Sequence, residues 1–231
     1  KRIVIPPGIY RLAPQGNEKT IWCLAGLRHV EIIAERVTLV GTKLTRAVEL
    51  RDCTGVTLSG LTVDYDPLPF TQGVVMAVAE EKGWIDVKLH AGYPRFPYSR
   101  IDVVDPATRV RKRGMPFLWG TTAAMRGNDV VRVSLKGIGN TAAVGDLVSL
   151  STGQSSDGIP HAMVIEGCSS MVMRDVTIHS APGMGILECD GEGGSSFLGC
   201  RVVPGPMPRG AAEERLLSSS WDAVQSKTMR K

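Results

Sequence analysis

The sequence predicts an all-β fold, a parallel β-solenoid interrupted by a small inserted antiparallel β-barrel or sandwich. Three observations point there. Short β-rich bursts recur at intervals of 25 to 26 residues, too tight for the dozen or more residues of a helical crossover between parallel strands. Aromatic residues make up only 5% while Gly and Pro number 26 and 14, a balance that suits many short strands joined by turns. The same repeat unit also reappears after a long stretch of different character.

In chain order, residues 24–32 lie over 50–58 at an offset of 26, with Leu24 on Leu50, Val30 on Val56 and Ile32 on Leu58. Residues 48–63 then align without a gap on 163–178, at an offset of 115 that places Cys53 on Cys168 and Thr62 on Thr177. Further on, residues 171–178 lie over 196–203 at an offset of 25. Matching 163–166, 185–188 and 222–225 puts Glu166, Glu188 and Gln225 in one column. Like positions on stacked strands sit ~4.8 Å apart, so similar side chains form columns. Two cysteines at one repeat position are therefore expected as buried, stacked thiols. With five Cys, no CxxC and no Cys/His pair at zinc spacing, no metal site and no cofactor is expected. His29, His90, His161 and His179 are too scattered to form one.

The predicted domains are residues 1–67 (N-terminal coils), 68–157 (inserted antiparallel domain) and 158–231 (the solenoid continued). In the insert, strands 74–78 and 84–89 flank Glu80, Glu81, Lys82 and Gly83, a hairpin with Gly at its turn. A turn at 105–108 and alternating strands at 130–135 and 146–150 complete it. Both ends of the chain read as uncapped, so an excerpt of a longer polypeptide is expected.

The charge balance, 27 basic against 23 acidic residues for a net +4, is too mild to make nucleic acid the main partner. No run approaches the ~18 apolar residues of a membrane-spanning helix. The basic excess is local: Arg100, Arg109, Arg111, Lys112, Arg113, Arg126, Arg132 and Lys136 face Asp102, Asp105 and Asp129. Either a solvated β surface or a contact surface for an acidic glycan has this composition. Residues 191–194 are glycine-rich, but without a βα unit they form no nucleotide loop.

Residues 3–10 resemble the first coil of the right-handed parallel β-helix proteins of the pectate-lyase-like type. Within that group residues 63–74 resemble glycoside hydrolase family 110, the exo-acting α-1,3-galactosidases, as do residues 181–186 and the pair Asp222 and Ala223. The resemblance implies a right-handed solenoid, a carbohydrate partner, an extracellular or periplasmic location and inverting hydrolysis by aspartates. One carboxyl group protonates the leaving oxygen while another activates water. Asp222 matches the family's Asp-Gly or Asp-Ala element. The Asp-Asp pair about one coil later falls past Lys231, so the chain alone is expected to be inactive. Gln225 stands where the family often has His.

Each candidate has two readings. Asp222 is catalytic or an exposed residue ending a turn. Trp221 is a sugar-stacking platform or an edge-covering side chain. Glu188, Asp190 and Gln225 line a sugar cleft or a solvated face. The functional expectation is an inverting exo-glycoside hydrolase of α-galactosidase type. The alternatives are a polysaccharide lyase or epimerase on the same fold, and a non-catalytic glycan-binding or structural solenoid.

Overall fold

The computed structural model describes residues 1–95, 100–115, 122–134, 138, 141–151, 160–219 and 221–227. Lys136 and residues 152–157, part of the expected insert, lie outside them. Two compact units result: Lys1–Pro67, Pro160–Gly205 and Ser218–Lys231 form the first, Leu68–Ile159 with Pro206–Leu217 the second.

The first unit begins with β1 (Arg2–Val4), β2 (Gly8–Leu12), β3 (Thr20–Ala25), β4 (Glu31–Gly41), β5 (Arg46–Arg51) and β6 (Thr57–Tyr65). The second contains β7 (Phe70–Ala79), β8 (Trp84–Leu89), β9 (Arg100–Val104), β10 (Thr122–Met125), β11 (Val130–Ser134) and β12 (Leu147–Ser151). The chain returns with β13 (Met163–Glu166), β14 (Val172–Arg174), β15 (Thr177–Ile178), β16 (Ile186–Cys189), β17 (Ser196–Leu198), β18 (Arg201–Val202) and β19 (Val224–Lys227).

The first unit is two parallel sheets. One has eight strands, ordered β1-β4-β6-β14-β17, with β2 also on β4, β15 on β6 and β18 on β15; the other has five, ordered β19-β16-β13-β5-β3. Its core lies between them: Ile32, Leu39, Leu58, Val63 and Met173 from one sheet meet Val48, Leu50, Met163, Ile165 and Ile186 from the other. The 115-residue offset governs the pairing of β5 with β13, β6 with β14 and β6 with β15. Cys53 and Cys168 stack within this core, and the Cys53 amide donates to Cys168 Sγ at 3.3 Å.

The expected right-handed solenoid carrying a small antiparallel barrel or sandwich is corrected. The parallel strands are two sheets, and these pairings do not amount to a right-handed solenoid. The antiparallel strands are one open, half-barrel sheet, ordered β10-β11-β8-β7-β12-β9, whose end strands do not pair among the described residues. A repeat tells which strands pair and in which direction. It carries neither the hand of the path between sheets nor whether a sheet's ends meet.

Three registers are corrected by one residue each. Val172 pairs with Ser196, an offset of 24 rather than 25. Met163 pairs with Ile186 and Ile186 with Val224, so Glu166 falls beside Cys189 and Lys227, Glu188 beside Ile165 and Ser226, and Gln225 beside Leu187. Laying Glu on Glu chooses the wrong register. The fully buried Met163 and Ile186 decide it, because a one-residue slip between their strands would turn one of the two out of the core.

Each repeat turns at left-handed backbone positions that themselves stack. The first column is Gly26, Asp52, Gly167 and Asp190, with φ of 64°, 53°, 63° and 56°. The second is His29, Gly55, Ser170 and Gly194; the third is Arg36, Gly60, Asp175 and Gly199. This conformation tolerates Gly, and Asp or Asn better than most other residues. At Gly60 there is a second reason, since a Cβ would lie 2.7 Å from Glu35 Cα.

In the second unit Val75, Ile85, Val87, Ile101, Val103, Val131, Val133, Val148 and Leu150 form the core. Pro206–Leu217 belongs to this unit, tied to the sheet largely through polar side chains. The buried Gln72 amide donates to Glu214 O at 2.8 Å and accepts from Leu216 N at 2.8 Å, standing in for a strand backbone. Tyr93 Oη donates to Glu213 O and Arg109 to Glu214 O. Leu68, Phe70 and Tyr93 pack against Ala211 and Leu217.

Candidate functional site

Side chains on the five-stranded parallel sheet alternate between two faces. Val48, Leu50, Met163, Ile165 and Ile186 enter the core, so Glu49, Val164, Glu166, Leu187, Cys189, Gln225 and Lys227 lie on the outer face. The floor of that face is buried: Val164, Leu187 and Cys189 form their own apolar cluster with half-buried Met184. Glu49, also buried, accepts from Arg46 at 2.6 Å and from Thr20 Oγ1 at 2.9 Å, a charge fully engaged within the sheet.

The residues just ahead of these strands form a further row. Counting back from the Met163, Ile186 and Val224 register, His161 aligns with Met184 and Met184 with Asp222. The bonds from Ala162 N to Met184 O and from Gly185 N to Asp222 O agree. The same count on the β5 side brings Arg46 beside His161.

His161 Nδ1 accepts from Met184 N at 2.9 Å, so the ring proton is assigned to Nε2. Burial, with Arg46 and Lys227 adding repulsion, pushes the imidazole down to about 4. It is neutral at physiological pH.

The residues expected from the sequence part company here. Asp222 is exposed at one end of the row, and its carboxylate makes no hydrogen bond or ion pair with the described residues. Trp221 is half-buried, its amide donating to Ser219 Oγ at 3.0 Å. Gln225 is half-buried on the outer face of edge strand β19. Glu188 faces inward, 5% exposed, in the column of Leu24, Leu50 and Ile165. Its Oε2 accepts from Ser226 Oγ at 2.7 Å, and its Oε1 is buried with no hydrogen-bond partner among the described residues. Asp190 occupies the first left-handed column, a position that its backbone alone explains.

In the sequence His161 is weighed only as a metal ligand and set aside, with no place in the site. Its signal is spacing, two residues before Met163 just as Asp222 is two before Val224, and it emerges only in the correct register.

The basic excess of the second unit is largely engaged. Arg132 grips Asp86 through two 2.7 Å bonds while stacking 3.5 Å over Trp84. Lys112 meets Asp146 at 2.6 Å, and Arg111 meets Asp102 at 3.2 Å with the buried Arg100 alongside. Arg113 and Arg126 are exposed. Charges committed to such pairs leave little net field for an acidic polymer. Among the described residues no group of three His, Cys, Asp or Glu could hold a metal ion.

No protein-family model matches the chain, and no curated protein sequence matches it.

Proposed function

We propose that the protein is carbohydrate-active, with its sugar site on the outer face of the five-stranded sheet. The chemistry is inverting exo-hydrolysis of an α-linked, galactose-type terminal sugar, with Asp222 as one carboxylate. What carries this is the Asp222 side chain, exposed and unengaged by the described residues at the end of the row that holds Met184 and His161. An apolar floor flanked by a few polar groups is a common way to hold a sugar ring. The half-buried Trp221 next to Asp222 adds an aromatic surface. The motif resemblance of residues 63–74, 181–186 and 222–223 supplies the substrate class and an extracellular or periplasmic location.

A second reading, glycan binding without turnover, is favoured by Glu188. Inverting hydrolysis needs a second carboxyl group ~6.5–9.5 Å from the first. Glu188 is turned into the core and bonded to Ser226, so it does not serve.

Turnover of aryl α-galactosides and α-1,3-linked galactosyl oligosaccharides, measured with binding calorimetry, separates the two. Hydrolysis lost by at least a hundredfold in Asp222→Asn, with binding retained, supports the hydrolase. Binding without turnover leaves the glycan-binding reading. A folded protein that neither binds nor hydrolyses these sugars overturns both.

A further inference from the structure

His161 has an acceptor nitrogen already occupied and a donor nitrogen that no described residue engages. Its ring is oriented by Met184 N, which donates to Nδ1 from the segment leading into β16. That bond fixes the tautomer, leaving Nε2–H as the group on offer. His161 is half-buried rather than enclosed, so this donor is not a sealed core contact. Its row runs His161, Met184, Asp222 across consecutive strands. Two strand spacings separate the backbones of the end members, ~9.6 Å. The middle member is apolar and half-buried. A donor, an apolar floor and an acceptor in line fit a ring with hydroxyls on its rim and C–H groups on its face.

We propose that His161 is a sugar-binding residue of this site, its Nε2–H donating to a ring hydroxyl of a hexose that lies over Met184 with its other end at Asp222. The assignment rests on the carbohydrate reading of the outer face and extends it to a named hydroxyl-recognising group. The neutral state of the ring follows from its surroundings: burial and the charges of Arg46 and Lys227 disfavour the imidazolium. Two acids lie in its neighbourhood by register: Asp222, two strands away in the same row, and Glu49, three residues beyond Arg46, whose carboxylate is already held by Arg46 and Thr20. The imidazole therefore stays neutral over the range where most sugar-binding proteins operate, and binding through it should not change between pH 6 and 8. An imidazolium would give up the Met184 contact, since a doubly protonated ring cannot accept.

The test is imidazole ¹H–¹⁵N NMR on the full chain during titration with methyl α-galactoside, with tryptophan fluorescence followed in parallel. The His161 Nε2 resonance is expected to shift saturably while those of His29, His90 and His179 stay in place. His161→Ala should weaken binding about tenfold, in keeping with loss of one ring-to-hydroxyl hydrogen bond. His161→Gln should recover part of that loss, because its carbonyl can accept from Met184 N while its amide still donates. The wild-type titration stands even if His161→Ala fails to fold. Saturable binding seen by fluorescence with an unmoved His161 resonance overturns this assignment and leaves the carbohydrate reading intact. No response in either signal overturns both.

Discussion

At the scale of single residues, a side chain's chemistry and its backbone geometry compete to explain why it is there. Asp190 illustrates the contest. As an acid near β16 it invites a catalytic role, yet it shares a left-handed column with Gly26, Asp52 and Gly167. Left-handed backbone costs an ordinary L residue about 1–2 kcal/mol, and Gly almost nothing. Asp190→Gly should therefore leave the denaturation midpoint nearly unchanged and any sugar binding intact. Asp190→Val, β-branched in the same conformation, should destabilise the protein by about 1–3 kcal/mol in urea titrations. A loss of sugar binding in Asp190→Gly would show that the carboxylate itself is used. Glu188 is the opposite case. No backbone requirement places an acid at a core-facing position between Ile165 and Ser226, and one of its oxygens goes unmatched there.

At the scale of elements, Pro206–Leu217 depends on a device that no strand pattern announces. The Gln72 side chain bonds Glu214 O and Leu216 N as a neighbouring strand would. Gln72→Ala leaves those two backbone groups without partners, a cost of about 1–3 kcal/mol. Amide exchange at Leu216 should speed up at least tenfold, and proteolysis should focus on 206–217 while the six-stranded sheet stays protected. Unchanged exchange at Leu216 would mean that Ala211 and Leu217 hold the segment by packing alone. This element marks the limit of what the sequence discloses. The 115-residue offset was legible because Cys53, Cys168, Thr62 and Thr177 repeat in kind, and like residues on stacked strands announce their own pairing. The hairpin around Glu80–Gly83 was legible from its turn residues, and β7 and β8 flank it. The registers of β14 on β17, of β13 on β16 and of β16 on β19 each slipped by one, because three-to-four-residue strands carry too few apolar positions to fix their phase. The slip hid His161. The polar ties of Pro206–Leu217 to the second unit go to its backbone carbonyls and the Leu216 amide, which every residue of this kind has, so little in its composition reveals the association.

At the scale of the whole molecule, the antiparallel ladder has a consequence for the parallel one. Pairing Val48 with Met163 closes a loop of 115 residues, and closure becomes harder as a loop lengthens. But Phe70 pairs directly with Ser151, so once the six-stranded sheet has formed, the two ends of its own excursion already meet. The gap left for Val48 and Met163 to bridge then falls to roughly a third, worth about 1 kcal/mol or about sixfold in closure. The sheet acts as a clasp on the thread before the larger fold is sewn. Weakening the clasp should slow the parallel strands without altering any of their residues. Gly73→Ala, whose Cβ would strike the Lys88 carbonyl, loosens β7 against β8, and the burial of Cys53 and Cys168 offers a clock for the other unit. In refolding from urea followed by thiol labelling, protection of those two cysteines should lag wild type by about threefold to sixfold. Equal rates would mean that the parallel strands find one another first, and that the excursion folds only after its ends are already tied.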